Sequence, residues 1–201
     1  MTTMDTIDPK QSPYVEQTFS HISLSGKSLS GIEFEKCRFE RCSFIDCSFE
    51  DCRFLDCEFD QCVMSALKLT NSSFLEARFI DSKVIGIDWT KTKNVRFLEF
   101  TRSQVDYSNF SLLKLPKLTL HECVAHECNF SETDLAEADL RKTDFKQSVF
   151  AQTNLTKADL RGATNYGIDF TANKIRHAKF SLPEAASLLK SLEIELDYIR
   201  E

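Results

Sequence analysis

The chain has 201 residues, is 42% hydrophobic and 28% charged, and carries a formal net charge of -6 with a pI near 5.3. One ordinary domain fits that length, and the acidic balance argues against a conventional phosphate-binding surface. No run of about 20 apolar residues could cross a membrane as a helix, and the first residues lack the basic patch and apolar run of a secretory signal. Eight Cys in a chain this long and this poor in Gly and Pro are expected to be reduced thiols of a cytoplasmic protein rather than a disulfide framework.

Residues 1–16 show no pattern and read as an N-terminal tail. From residue 17 to 180 a five-residue ruler governs the chain, and it holds sixteen of the seventeen Phe and all eight Cys. Faint matches at Phe19, Leu24 and Leu29 lead into Phe34, Phe39, Phe44, Phe49, Phe54, Phe59, Met64, Leu69, Phe74, Phe79, Val84 and Trp89. Two positions before the first seven strong centres stand Ile32, Cys37, Cys42, Cys47, Cys52, Cys57 and Cys62. A period of five is neither the 3.6 of an amphipathic helix nor the 2 of a flat strand. A fixed short period means a repeat architecture.

The ruler slips by one residue within 90–99, the window that holds Phe97, the one Phe off the ruler. It resumes at Phe100 and runs through Phe110, Leu120, Phe130, Leu140, Phe150 and Leu160, is interrupted at Asn165, and finishes at Phe170, Ile175 and Phe180. In this half the position before the centre is often Asp or Asn, as at Asn109, Asp134, Asp139 and Asp159. Such side chains bond nearby backbone and hold turns. Residues 181–201 change character. Ser181-Leu182-Pro183-Glu184 has the spacing of a capping box, an amphipathic helix follows through Leu188, Leu189 and Leu192, and Ile194-Glu195-Leu196 reads as a strand. A lid of this kind covers the open edge that any solenoid has.

Segments such as Thr133-Asp134-Leu135-Ala136-Glu137 and Ala158-Asp159-Leu160-Arg161-Gly162 resemble the pentapeptide-repeat consensus, small-(Asp/Asn)-(Leu/Phe)-polar-x. The resemblance covers about residues 17 to 182. It implies an all-β fold, a right-handed quadrilateral β-helix with four repeats per coil, closed by a short C-terminal helix and strand cap. Residues twenty apart then stack: Phe34, Phe54 and Phe74 in one column; Phe19, Phe39, Phe59 and Phe79 in another; Phe110, Phe130, Phe150 and Phe170 in a third; Leu115, Leu135, Leu155 and Ile175 in a fourth. Each buried centre contributes about 1.5–3 kcal/mol before entropy costs.

On this geometry the Cys are small buried groups. His121, Cys123, His126 and Cys128, the chain's most tempting metal cluster, divide into thiols inside and imidazoles outside and cannot close on one ion. No nucleophile, base and carboxylate set accompanies His21 or His177. No enzyme activity, metal or cofactor is therefore expected.

Charge follows the coil as well. Residues 33–60 hold nine acids against four bases and 121–145 hold seven against two, while 83–118 reverse the sign with seven bases against three acids. Stacking by twenty sets Glu33 over Arg53, Lys36 over Asp56, Arg38 over Glu58 over Arg78, Glu122 over Lys142 and Glu137 over Lys157, ladders worth about 0.2–1 kcal/mol each. Less well accounted for are Glu40 over Asp60, like over like, and Glu50 and Asp51, whose stacked neighbours are uncharged. These four form the candidate acidic face for a partner.

The Cys-x-Phe repeats, the Asn165-Tyr166-Gly167-Ile168-Asp169 interruption and the tail from Phe180 to Leu196 resemble the bacterial topoisomerase-protecting members of the family, the Qnr, microcin-immunity and albicidin-resistance group. That resemblance implies a non-catalytic mimic of duplex DNA. It would bind DNA gyrase or topoisomerase IV, relieve topoisomerase poisons, and dimerise through Leu188, Leu189, Leu192, Ile194 and Leu196. Direct nucleic-acid or membrane binding is not expected. The slip departs from the pattern, and Lys91, Lys93, Asn94, Arg96 and Phe97 there are candidates for specific partner contacts. The alternative is a structural scaffold of the same family whose protein partner is not a topoisomerase.

Overall fold

The computed structural model describes Thr3, Met4, residues 6–192 and Ile194; Leu196 and Glu195 of the expected terminal strand lie outside the described residues. Three-residue strands recur every five residues, as at Glu33–Glu35, Arg38–Glu40, Ser43–Ile45 and Ser48–Glu50. Each three-residue strand carries one inward centre, buried in all but Ser23–Ser25, between two outward-facing neighbours. The second residue after the centre takes the left-handed backbone region, for example Lys36 (φ 50), Arg41 (φ 50), Asp46 (φ 51) and Asp51 (φ 53). An L-residue there costs about 1–2 kcal/mol, offset because the bend aims its N–H at the next coil. Lys36 N–H donates to the Leu55 carbonyl at 2.8 Å and Arg41 N–H to Asp60 at 2.9 Å. The result is a corner every five residues and a tube of four faces.

Strand pairing is parallel throughout the described residues, and away from the N-terminal strand and the slip it sets residues twenty apart side by side: Phe34 with Phe54, Phe39 with Phe59, Phe44 with Met64, Leu29 with Phe49. We number the faces in chain order from Tyr14. Face 1 is the five-stranded sheet through Phe34 and Phe54, and face 2 the seven-stranded sheet through Phe39 and Phe59. Face 3 passes through Phe44 and Met64, and face 4 through Leu29 and Phe49. Faces 1 and 3 are opposite one another, as are 2 and 4. Near the N-terminus Thr3–Met4 pairs with Thr18–Phe19, and Tyr14–Val15 pairs with Phe34–Glu35.

The interior is a set of ring columns. Phe19, Phe39, Phe59, Phe79 and Phe100 stack at centroid spacings of 4.9, 4.7, 4.8 and 4.7 Å, with planes within 12°. Phe34, Phe54 and Phe74 stack at 5.0 and 4.5 Å, and Phe110, Phe130 and Phe150 at 5.2 and 5.1 Å. The last two coils are looser. Asn165 is exposed at a left-handed φ of 56, Tyr166 turns inward in its place, and Phe170 and Ile175 are only half-buried.

The small residue two before each centre does more than occupy little space. Its side chain donates to the centre's carbonyl on the preceding coil: Cys57 Sγ to Phe34 O at 3.4 Å, Ser72 Oγ to Phe49 O at 3.0 Å, Thr143 Oγ1 to Leu120 O at 2.6 Å. Most of the hydroxyls also accept from the corner N–H below, as Ser72 does from Cys52 at 2.9 Å and Thr143 from Cys123 at 3.2 Å, whereas among the described residues Thr133 and Thr153 only donate. This ladder satisfies backbone groups that the corners would otherwise bury unpaired. In the second half the corners tighten into turns closed by bonds such as Thr133 N–H to Phe130 O at 3.2 Å. The expected Asx bonds brace them, Ala136 N–H to Asp134 at 3.2 Å and Arg141 N–H to Asp139 at 3.2 Å.

The slip is a single extra residue. Pairing shifts from twenty to twenty-one at Ser73 with Asn94 and Arg78 with Glu99, then returns to twenty at Glu99 with Thr119. The surplus is absorbed at the corner between faces 4 and 1 by a 3₁₀ turn, Trp89–Lys91, capped by Asp88. The interior resumes at buried Val95, one slot before Phe100, and Phe97 becomes an ordinary corner residue with φ 52. A β-branched residue in a Phe slot concealed this from the ruler.

At the C-terminal end Glu184–Leu192 forms a 3₁₀ helix. The Ser181 hydroxyl does not act as the helix cap suggested by the Ser-x-x-Glu spacing: it accepts the Gly162 N–H of the coil below at 3.2 Å. The exposed edge of the last coil claims it first.

Candidate functional site

The tube presents four outward faces of very different electrostatic character, because register decides which charges meet. Ion pairs gather on face 2 and its two edges. Arg38 binds Glu40 at 2.8 Å, Asp60 at 2.8 Å and Glu58 at 3.2 Å. Further along lie Asp139–Arg141 and Asp159–Arg161, both at 2.6 Å. The edges carry Asp81–Arg102 at 2.8 Å, Glu122–Lys142 at 2.7 Å and Glu137–Lys157 at 3.2 Å. The last two ladders are as the twenty-residue stacking predicts. Asp56, expected over Lys36, is instead gripped by Arg78 at 3.0 Å, since a guanidinium reaches diagonally where an ammonium beside it need not.

Glu40 and Asp60 therefore sit either side of the Arg38 guanidinium, which meets their like charges within the rod's own surface. Glu50 and Asp51 are elsewhere, on the opposite face 4, and both are exposed. Asp51 accepts a hydrogen bond from Asn71. Face 4 and its edges bring further acids to the same side that linear charge counts did not single out: Asp46, Asp88, Glu127 and Glu132. Asp46 and Glu127 lie on the edge with face 3, Asp51 and Glu132 on the edge with face 1, and Glu50 and Asp88 between. Among the described residues none of these six makes an ion pair within 4.0 Å. Two acidic clusters result, around 46–51 and 127–132, separated by three coils, the last with exposed Tyr107 and Leu112 at its corners. The Glu127 carboxylate beside Tyr107 pushes that phenol above its ordinary range. The signal for this face was the twenty-residue register applied to corner positions, where Asp46, Asp51, Glu127 and Glu132 all fall.

The slip residues do not form a projecting loop. Lys91 and Lys93 are exposed at the corner of faces 4 and 1, Asn94 and Arg96 face out from face 1, and Phe97 stands on the edge between faces 1 and 2, 52% exposed. At the far end Leu188 packs against the core, whereas Leu189, Leu192 and Ile194 are exposed.

The thiols are interior. All eight Cys are free and buried, and burial pushes Cys123 and Cys128 up to about 12. Their Sγ atoms donate to Phe100 O at 3.3 Å and Val105 O at 3.1 Å, while His126 on the outer surface contacts Asp144 at 3.0 Å. Thiols and imidazoles thus face opposite sides of the wall. Among the described residues no helix is long and apolar enough to cross a membrane.

Two family models match the chain, one described as a pentapeptide repeat region over residues 32–110 and one as eight copies of the pentapeptide repeat over residues 128–164. No curated protein matches in sequence. Among solved structures, two trypsin-treated variants of QnrB1, described as a plasmid-mediated fluoroquinolone resistance protein, superpose with a TM-score of 0.65 at 21% identity. They cover 90% and 89% of this chain and 100% of their own. Full-length QnrB1 gives 0.51 at 18% identity over 88% of this chain and 100% of its own. At these identities the likeness is one of fold.

Proposed function

Because the chain belongs to the pentapeptide-repeat family, we propose that it is a non-catalytic mimic of DNA that binds DNA gyrase or topoisomerase IV and protects it from topoisomerase poisons. The observation that carries this reading is face 4, a straight side of a narrow rod whose carboxylates are not neutralised by the rod's own cations. Such a surface can address protein sites built for phosphates. Glu50 and Asp51 lead it together with Asp46, Glu127 and Glu132. Glu40 and Asp60 contribute less, because Arg38 already meets their charge. The slip residues Lys91, Lys93, Asn94, Arg96 and Phe97 add specific contacts on the neighbouring face. Exposed Leu189, Leu192 and Ile194, with Leu188 and Leu196, join two copies end to end. The fold shared with QnrB1, itself a fluoroquinolone resistance protein, supports the reading.

Gyrase supercoiling and drug-induced DNA cleavage, measured with and without purified protein across a salt series, test it. Protection that fades as salt rises, and is lost on reversing Glu50, Asp51, Glu127 and Glu132 to Lys, is expected. Absence of any effect on gyrase and topoisomerase IV would leave the scaffold reading in its place.

A further inference from the structure

One stretch of the rod is built against its general character. On face 1, directly after the slip, Arg96, Phe97, Lys114, Leu115 and Pro116 line a cleft of about 260 Å³. Phe97 and Pro116 form its apolar part, with Arg96 and Lys114 beside them. Register explains the arrangement. Leu75 pairs beside Arg96 on the coil below and Pro116 shares the cleft with it on the other side, so neither neighbour offers the guanidinium a carboxylate. Lys114 stacks below Asp134, whose carboxylate is taken up by Asn154 at 2.7 Å and the Ala136 N–H at 3.2 Å. Among the described residues neither Arg96 nor Lys114 makes an ion pair. Lys117 continues the cationic side at the edge, while Glu76 and Glu99 lie beyond Phe97 toward face 2.

Phe97 sets an exposed ring beside these cations. It holds the corner slot that Lys36, Asp56 and Glu76 hold on earlier coils of the same edge, all at left-handed φ. A side chain there leaves the tube, so its ring buries little within this chain. Polar residues suit such a slot, and an exposed aromatic offers apolar area of the kind that anchors interfaces. Two unneutralised cations beside a ring and a proline are complementary to a chain segment that carries carboxylates around an apolar side chain. The net charge of -6 disfavours the other polyanion, nucleic acid.

We infer that the Phe97–Pro116 cleft docks an acidic segment of a partner protein, with an apolar side chain seated between Phe97 and Pro116 and flanking carboxylates on Arg96 and Lys114. This deepens the topoisomerase reading and rests on it only for the owner of the segment. The rod would then hold its partner by two surfaces of opposite sign, carboxylates on face 4 and cations on face 1.

The test is a titration of the intact protein with a fluorescein-labelled peptide of glutamates around one central phenylalanine, by fluorescence anisotropy. A lysine counterpart and a single-stranded oligonucleotide serve as rival probes. The acidic peptide is expected to bind, and to weaken at least tenfold in Arg96→Glu/Lys114→Glu and several-fold in Phe97→Asn. Asn tolerates the left-handed corner, so the melting temperature of Phe97→Asn should match the parent. No binding of the acidic peptide, equal binding of the lysine peptide or the oligonucleotide, or unchanged affinity in both variants would overturn the inference. Peptide binding without gyrase binding leaves this cleft standing and removes the topoisomerase reading. Gyrase protection that survives in both variants, with no peptide binding, does the reverse.

Discussion

Replacing Thr143 by valine isolates the hydroxyl ladder from the packing it accompanies. Thr143 is fully buried. Its Oγ1 donates to Leu120 O at 2.6 Å and accepts the Cys123 N–H at 3.2 Å. Valine substitutes a methyl for the hydroxyl at nearly equal volume, so no cavity opens, but a carbonyl and an N–H of the corner are stranded. Each stranded buried group costs about 1–3 kcal/mol, and the added methyl returns roughly 0.8 kcal/mol. The expected loss is therefore about 1–5 kcal/mol, a fall of order 10 °C in Tm for a chain of this size. Thr143→Ser keeps both bonds and should lose about 1 kcal/mol or less. At Thr133 the same change to valine should cost less, because the Phe110 carbonyl there also accepts the Leu113 N–H at 3.4 Å. Urea unfolding followed by circular dichroism measures all three. A Thr143→Val protein as stable as the parent, or a serine variant less stable than the valine one, would refute the reasoning: the inward slot would then require small size alone.

Phe59→Ala should cost about 3–5 kcal/mol, since its ring lies between Phe39 at 4.7 Å and Phe79 at 4.8 Å. Phe97→Ala, at an exposed corner, should stay within about 0.5 kcal/mol; comparable losses in the two by urea unfolding would contradict the inward columns. Acid should weaken the rod: Arg102, Lys142 and Arg161 hold Asp81, Glu122 and Asp159 below the usual carboxylate range. Groups depressed on folding contribute stability above their unfolded pKa of about 4 and lose it as pH falls through the folded values. Tm should be level from pH 7 to 5 and decline below pH 4, and a Tm that rises on acidification from pH 5 to 3 would count against these pairs.

The ruler of Phe and Cys made the repeat, the inward columns and the corner spacing legible, because an identical slot every five residues leaves a periodic record in the chain. Phe39, Phe59 and Phe79 stack as their twenty-residue spacing predicts, and Asp134 and Asp139 brace turns as their position before the centre suggests. Glu122–Lys142 and Glu137–Lys157 were readable for the same reason. Val95 was not, since a valine between Trp89 and Phe100 carries too little pattern to show where the one-residue surplus sits or that it forms a corner turn rather than a small loop. Nor was the neutralisation of Glu40 and Asp60 by Arg38, because the reach of a guanidinium across a face depends on rotamer and twist.

For this protein, the linear order of residues determined which side chains enter the tube, since inward or outward is a local property repeated every five positions. Which charges pair diagonally, as Arg38 with Asp60 and Arg78 with Asp56, and which are left on face 4 or beside Phe97, was decided only by tertiary structure. Those neighbours are about twenty residues apart in the chain and come into range only after the coils stack, with a register that the single residue at the slip displaces for everything beyond it.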